Sequence, residues 1–226
     1  MENWVISQDI RMKAAFGPGT IAGQGHSISF CAHHGPLMGT LASATLACNG
    51  KVEVSDLIVA NDFDFKSSRD GRQAVALLVQ GGPSVFRNCT FQSFQDTLCI
   101  EGEAVFINCT IIGCIDFIFG SGNALFQSCR ILSNGPGFVC APSTWKGRQG
   151  LVLESCSLES ACALPAGSVK LARPWHPGGR PGRVPKVQFR SCSYGPHIDL
   201  SSPWADMKDT FSVTRKAADS LFSIAD

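Results

Sequence analysis

The sequence predicts an all-β chain wound as one single-stranded right-handed parallel β-helix domain over residues 1–226. Three observations carry that expectation. A short motif recurs five times, its apolar residues alternate, and helical periodicity is nearly absent.

The motif runs Val85-Phe-Arg-Asn-Cys-Thr-Phe91, then Val105-Phe-Ile-Asn-Cys-Thr-Ile111 and Leu125-Phe-Gln-Ser-Cys-Arg-Ile131. It returns around Cys156 and Cys192, in Leu151 to Leu158 and Val187 to Tyr194. Cys89, Cys109 and Cys129 are twenty residues apart, and the last two copies follow at 27 and 36, as if loops were inserted. A degenerate earlier copy, Val54 to Val59, has Leu57 in the cysteine slot. Each copy alternates apolar and polar residues between Gly, Asn, Ser and Pro, the pattern of a short strand. Strands that recur with the same side chains in register suit a coil stack, in which equivalent positions lie about 4.8 Å apart. A β-sandwich gives no reason for such recurrence. The five cysteines then form an internal column of small soft side chains. Asn88, Asn108, Ser128, Ser155 and Ser191 form a polar ladder at a turn. Amphipathic helices are admitted only near the ends of the chain, for example at Thr214 to Ile224.

Composition narrows the function classes. The chain is 44% hydrophobic and 16% charged with a net charge of +1, which suits a large core and gives no case for nucleic acid or membrane binding. No apolar run reaches the roughly 18–20 residues of a membrane span. Eleven cysteines cannot all pair within one chain, and none is spaced as CxxC, so zinc is a weak reading. The start, Met1-Glu2-Asn3-Trp4, shows no signal peptide pattern.

The repeat also carries carboxylates. Asp96 lies seven residues after Cys89, and Asp116 seven after Cys109. In a coil stack they fall on neighbouring rungs at one lateral position. Two carboxylates at that range do not ionise together easily, so one becomes a proton carrier and the other a base or nucleophile. Ile115 to Gly120 is apolar and would desolvate Asp116, and Gln95 could present an amide donor to a developing oxyanion. Two solvent-facing aspartates would satisfy the same spacing.

Four segments, QAVAL (Gln73 to Leu77), FQDTL (Phe94 to Leu98), DFIFG (Asp116 to Gly120) and LARPW (Leu171 to Trp175), resemble the signatures of the pectin methylesterases, in the family's order. GPHI (Gly195 to Ile198) and PWADMKD (Pro203 to Asp209) extend the resemblance, which runs from about Gly39 to about Asp209. It implies a pectin lyase-like β-helix that demethylates homogalacturonan to pectate and methanol. Asp116 would be the nucleophile and Asp96 the general acid and later base. Gln73 and Gln95 would hold the oxyanion, and Arg173 would keep Asp116 ionised. Trp175 and Phe117 would bind the sugar. The resemblance implies no metal or organic cofactor, pectin as the partner, a monomer, and an extracellular place at the cell wall.

Cys99 stands where the family usually has Tyr, and Ala172 where it usually has Gly. The family's first coil has no clear counterpart, so the chain is expected to enter the helix near Thr20 to Phe30. Arg180, Arg183 and Lys186 read as a solvated basic loop, and Trp204 as a core cap. Two other classes fit less well. A β-helix polysaccharide lyase calls for a calcium site of several carboxylates. A non-catalytic pectin-binding β-helix has no reason to keep Gln73, Gln95, Asp96, Asp116 and Arg173 together.

Overall fold

The computed structural model describes residues 2–34, 39–66, 72–177, 182–207 and 221–225. The chain is a parallel β-helix. Each turn of chain, or coil, lays a strand on a first face, bends, and returns along a second and a third. The first face is a nine-stranded parallel sheet running from Glu2–Val5 through Ser84–Arg87, Glu103–Ile107, Asn123–Gln127 and Leu151–Glu154 to Phe222–Ala225. Thr110–Gly120 and Arg130–Pro142 pass along both remaining faces without a break in strand assignment.

The sequence repeat is the structural register. Phe86 pairs with Phe106, Phe106 with Phe126, Phe126 with Leu153 and Leu153 with Phe189. Strand alternation points these residues inward. The rings of Phe86, Phe106 and Phe126 stack with centroids 4.8 and 4.6 Å apart, which is the strand spacing itself. Burying each ring contributes roughly 1.5–3 kcal/mol. Cys89, Cys109, Cys129 and Cys156 are buried as free thiols in the adjoining column, and Leu57 fills the same slot one coil earlier. Cys192 is only partly covered.

The turn after the first face explains the polar ladder. Asp56, Asn88, Asn108, Ser128, Ser155 and Ser191 all have φ between 48° and 53°. That left-handed conformation costs most L residues about 1–2 kcal/mol, and short polar side chains offset it by local hydrogen bonds. Here the bonds run along the stack. Asn88 Nδ2 donates to Asp56 Oδ1 at 3.1 Å and Asn108 Nδ2 to Asn88 Oδ1 at 2.9 Å.

Two expectations change at the ends. Residues 2–16 form a complete coil ahead of Thr20: Glu2–Val5, Ile10–Arg11 and Ala14–Phe16 pair with Gly19–Ala22, Ser27–Phe30 and Leu46–Asn49. This coil lacks the Asn/Ser-Cys motif, so the repeat did not reveal it. The Trp4 and Phe16 rings, 4.8 Å apart, pack against that end of the core. Gly19 lets Trp4 approach, because a Cβ there would sit 2.6 Å from the indole. At the other end, Phe222–Ala225 is a strand paired with Val187–Arg190, not a helix. Residues 214–220 of the expected helix lie outside the described residues. Trp204 packs between Phe189 and Phe222, as a core cap should.

Candidate active site

Asp96 and Asp116 stack as their spacing predicts. Gln95 bridges to Ile115 and Leu98 pairs with Ile118, so the aspartates hold equivalent positions on neighbouring coils. The Asp96 N–H donates to the Ile115 carbonyl at 3.0 Å. Both residues have positive φ, 66° and 50°, a second left-handed column that turns each carboxyl out of the core. Each remains only 8% exposed.

Arg173 distinguishes them. It stands just beyond Val169–Ala172, two coils along from Asp116, and its N–H is anchored on the Cys140 carbonyl at 3.0 Å. Its Nε donates to Asp116 Oδ1 at 2.8 Å and a terminal nitrogen to Oδ2 at 2.6 Å. The guanidinium lies over the Phe138 ring of the intervening coil, 4.1 Å from its centroid. This two-point, charge-assisted grip fixes both oxygens of Asp116 and favours its ionised form. Burial pulls the other way and leaves the Asp116 pKa above the usual value. Asp96 is pushed well above that value, first by burial and then by the Asp116 charge, with Arg173 and a hydrogen bond from Gln95 opposing. Arg173 thus favours the negative charge on Asp116, while burial and the Asp116 charge both disfavour ionisation of Asp96.

The pair opens into a cleft of about 720 Å³. Gln73, Gln95, Asp96, Asp116, Arg173 and Trp175 all line it, so six of the seven site residues expected from sequence converge. Gln73 comes from the coil before Asp96, where the Ala74 N–H donates to the Gln95 carbonyl at 3.0 Å. Its side-chain Oε1 accepts the Arg72 N–H at 3.0 Å, which turns the amide NH₂ away from the backbone.

Phe117 is the exception. It is fully enclosed in the main core and does not reach the cleft. The left-handed turn at Asp116 sends the next side chain inward, against Gly113, where a Cβ would come within 2.2 Å of Phe117 Cβ. Phe119 lines the cleft instead, edge-on to Trp175 at 5.7 Å. The sequence reading also passed over Glu101, which lines the cleft and sits twenty residues before Ser121, the same interval as the aspartates. Arg183, read as part of a solvated loop, lines the cleft too, stacked 3.5 Å from the Trp145 ring centroid. Arg180 lies outside the described residues. Cys99 is fully buried against the cleft wall formed by Phe119, so the thiol does not face the opening. Ala172 is buried without a positive φ, so the methyl is accommodated.

Comparison with known proteins agrees with this geometry. A family model described as Pectinesterase matches residues 10–180. Pectinesterase A of Dickeya chrysanthemi is 33% identical over 229 residues, an alignment covering 87% of this chain and 61% of that protein. The chain thus spans less than two thirds of that curated relative. Among solved structures, the pectin methylesterase from Yersinia enterocolitica superposes with a TM-score of 0.87 at 27% identity, covering 99% of this chain and 83% of that one. A pectin methylesterase in complex with a hexasaccharide gives 0.77 at 26% identity, covering 94% and 84%.

Proposed function

We infer the reaction from one premise: the chain belongs to the pectinesterase family. The reading is hydrolysis of the methyl esters of homogalacturonan to free carboxylates and methanol. The observation that carries it is the asymmetry of the aspartate pair. Arg173 holds Asp116 by two hydrogen bonds, while Asp96, one rung away, is buried and has no such grip, so its pKa is pushed well above the usual value.

The chemistry follows from that asymmetry. An Asp116 oxygen attacks the ester carbonyl, and the carbonyl π electrons move onto oxygen. The Gln73 and Gln95 amides, on the same wall of the cleft, donate to that oxyanion. Collapse breaks the bond to methoxide, which takes the Asp96 proton and leaves as methanol. An acyl-enzyme anhydride on Asp116 remains, and Asp96 is now a carboxylate. It removes a proton from water, whose oxygen attacks the acyl carbon. The bond from the acyl carbon to the Asp116 oxygen breaks, and Asp116 regains its charge beside Arg173. Asp96 keeps the proton from water, and the uronic acid that leaves gives up its own proton to solvent. The aromatic wall of Trp175 and Phe119 offers a face for a sugar ring. The hexasaccharide complex of a similar enzyme supports a polymer lying in this cleft.

The substrate is a wall polysaccharide, so the proposed place of action is outside the cell, as a monomer. Among the described residues, no helix is long and apolar enough to cross a membrane. The test is product analysis on highly methylated pectin. Esterase action yields one methanol per new carboxylate and no unsaturated uronate. Unsaturated ends without methanol would mean a lyase, and binding without either product a non-catalytic protein.

A further inference from the structure

The cleft holds a third carboxylate that the reaction does not use. Glu101 follows the strand Leu98–Ile100, on the same coil as Asp96. Its Oε2 accepts a hydrogen bond from the Ser121 hydroxyl at 2.5 Å, one coil further along. Beneath it lies the buried Cys99 thiol, 4.0 Å from Oε1. The carboxylate is thus held at a fixed point of the wall and backed by low-dielectric core.

The other charges in the cleft are arranged unevenly. Asp116 and Arg173 form an ion pair at 2.6 Å, and Asp96 is buried beside them, which disfavours its ionised form. Arg183 lies further along the stack, where it donates to the Ser143 carbonyl at 3.1 Å. A methyl-esterified galacturonate is neutral, and its hydrolysis product is an anion. A fixed carboxylate in a partly desolvated cleft repels the second and tolerates the first.

We propose that Glu101 is a specificity-determining residue that excludes an ionised galacturonate from the stretch of cleft beside coil residues 98–101. This rests on the esterase reading above. It makes the enzyme select ester-rich stretches and release de-esterified chain. The methyl ester loses nothing at this point, whereas the free acid meets a like charge that water screens poorly.

The experiment is inhibition of methanol release from highly methylated pectin by fully de-esterified polygalacturonate, in the wild type, Glu101→Gln and Glu101→Ala. Glu101 is partly exposed in a turn, and a melting curve for each variant confirms the fold. At low ionic strength the inhibition constant should fall at least about tenfold in both variants. The gap should narrow at about 0.15 M salt, where the screening length shortens to about 8 Å. Equal inhibition constants in all three proteins, with methanol release intact, would overturn the role of Glu101 and leave the esterase reading standing. Absence of methanol release from folded wild type would remove both.

Discussion

Arg173 reaches past an entire coil to grip both carboxylate oxygens of Asp116, at 2.8 and 2.6 Å, with the Phe138 ring beneath its guanidinium. The parallel stack makes this possible. Strands fix the coil-to-coil rise, so a residue two coils away always stands at the same height above the aspartate. The contact gives two chemically identical side chains different electrostatic surroundings.

Replacing Arg173 with Lys keeps the charge and removes the two-point geometry and the flat contact with Phe138. We expect kcat for methanol release to fall by roughly 10²-fold or more, with a smaller change in KM. Arg173→Ala leaves Asp116 buried beside Asp96 with no cation. It should also destabilise the fold near neutral pH by about 3–5 kcal/mol, read from denaturant unfolding.

Burial raises the Asp96 pKa above its unfolded value of 3.8. Below that value both folded and unfolded states hold the proton, and nothing is lost. As pH rises past 3.8 the unfolded chain ionises while the folded one does not, so stability declines until the folded pKa is passed. Asp96→Asn removes this dependence. The variant should melt above wild type at pH 7, with the difference shrinking as pH falls towards 4, while its activity is lost. A melting difference that does not vary with pH would contradict the assignment.

Phe117 and Phe119 should separate cleanly. Phe119→Ala opens the sugar wall beside Trp175 and should raise KM, and because Phe119 is itself buried it should also lower the melting temperature. Phe117→Ala leaves a cavity in the main core and should cost about 3–5 kcal/mol in stability. Substrate titration distinguishes the two: KM rises for the Phe119 variant and not for the Phe117 variant.

The central ring of the Phe86–Phe106–Phe126 stack is the most consequential for the core. Phe106→Ala removes both stacking contacts at once, to Phe86 and to Phe126, and should cost about 3–5 kcal/mol. In a chain of this size each kcal/mol shifts melting by roughly 2–4 °C, so the loss is readily measured.

The stack and the aspartate pair were legible because parallel coils convert sequence spacing directly into neighbours. The strand residues of the five-copy motif meet their counterparts in the observed register. Coil residues 2–16 were not legible, because that end is closed by packing of Trp4 and Phe16 and carries no repeated turn residue. Phe117 was misplaced because the left-handed Asp116 interrupts strand alternation, and backbone handedness at a single aspartate is not written in a pentapeptide. Glu101 was overlooked because its role depends on the wall that Ser121 and Cys99 make around it.

The most direct test of the account is methanol release by Asp116→Asn beside wild type, on highly methylated pectin, with both proteins shown to be folded. Wild type should release methanol and the variant should lose at least about 10³-fold of that activity, since an amide oxygen cannot form the acyl-enzyme. Comparable release by the folded variant would contradict the assignment of Asp116 as nucleophile.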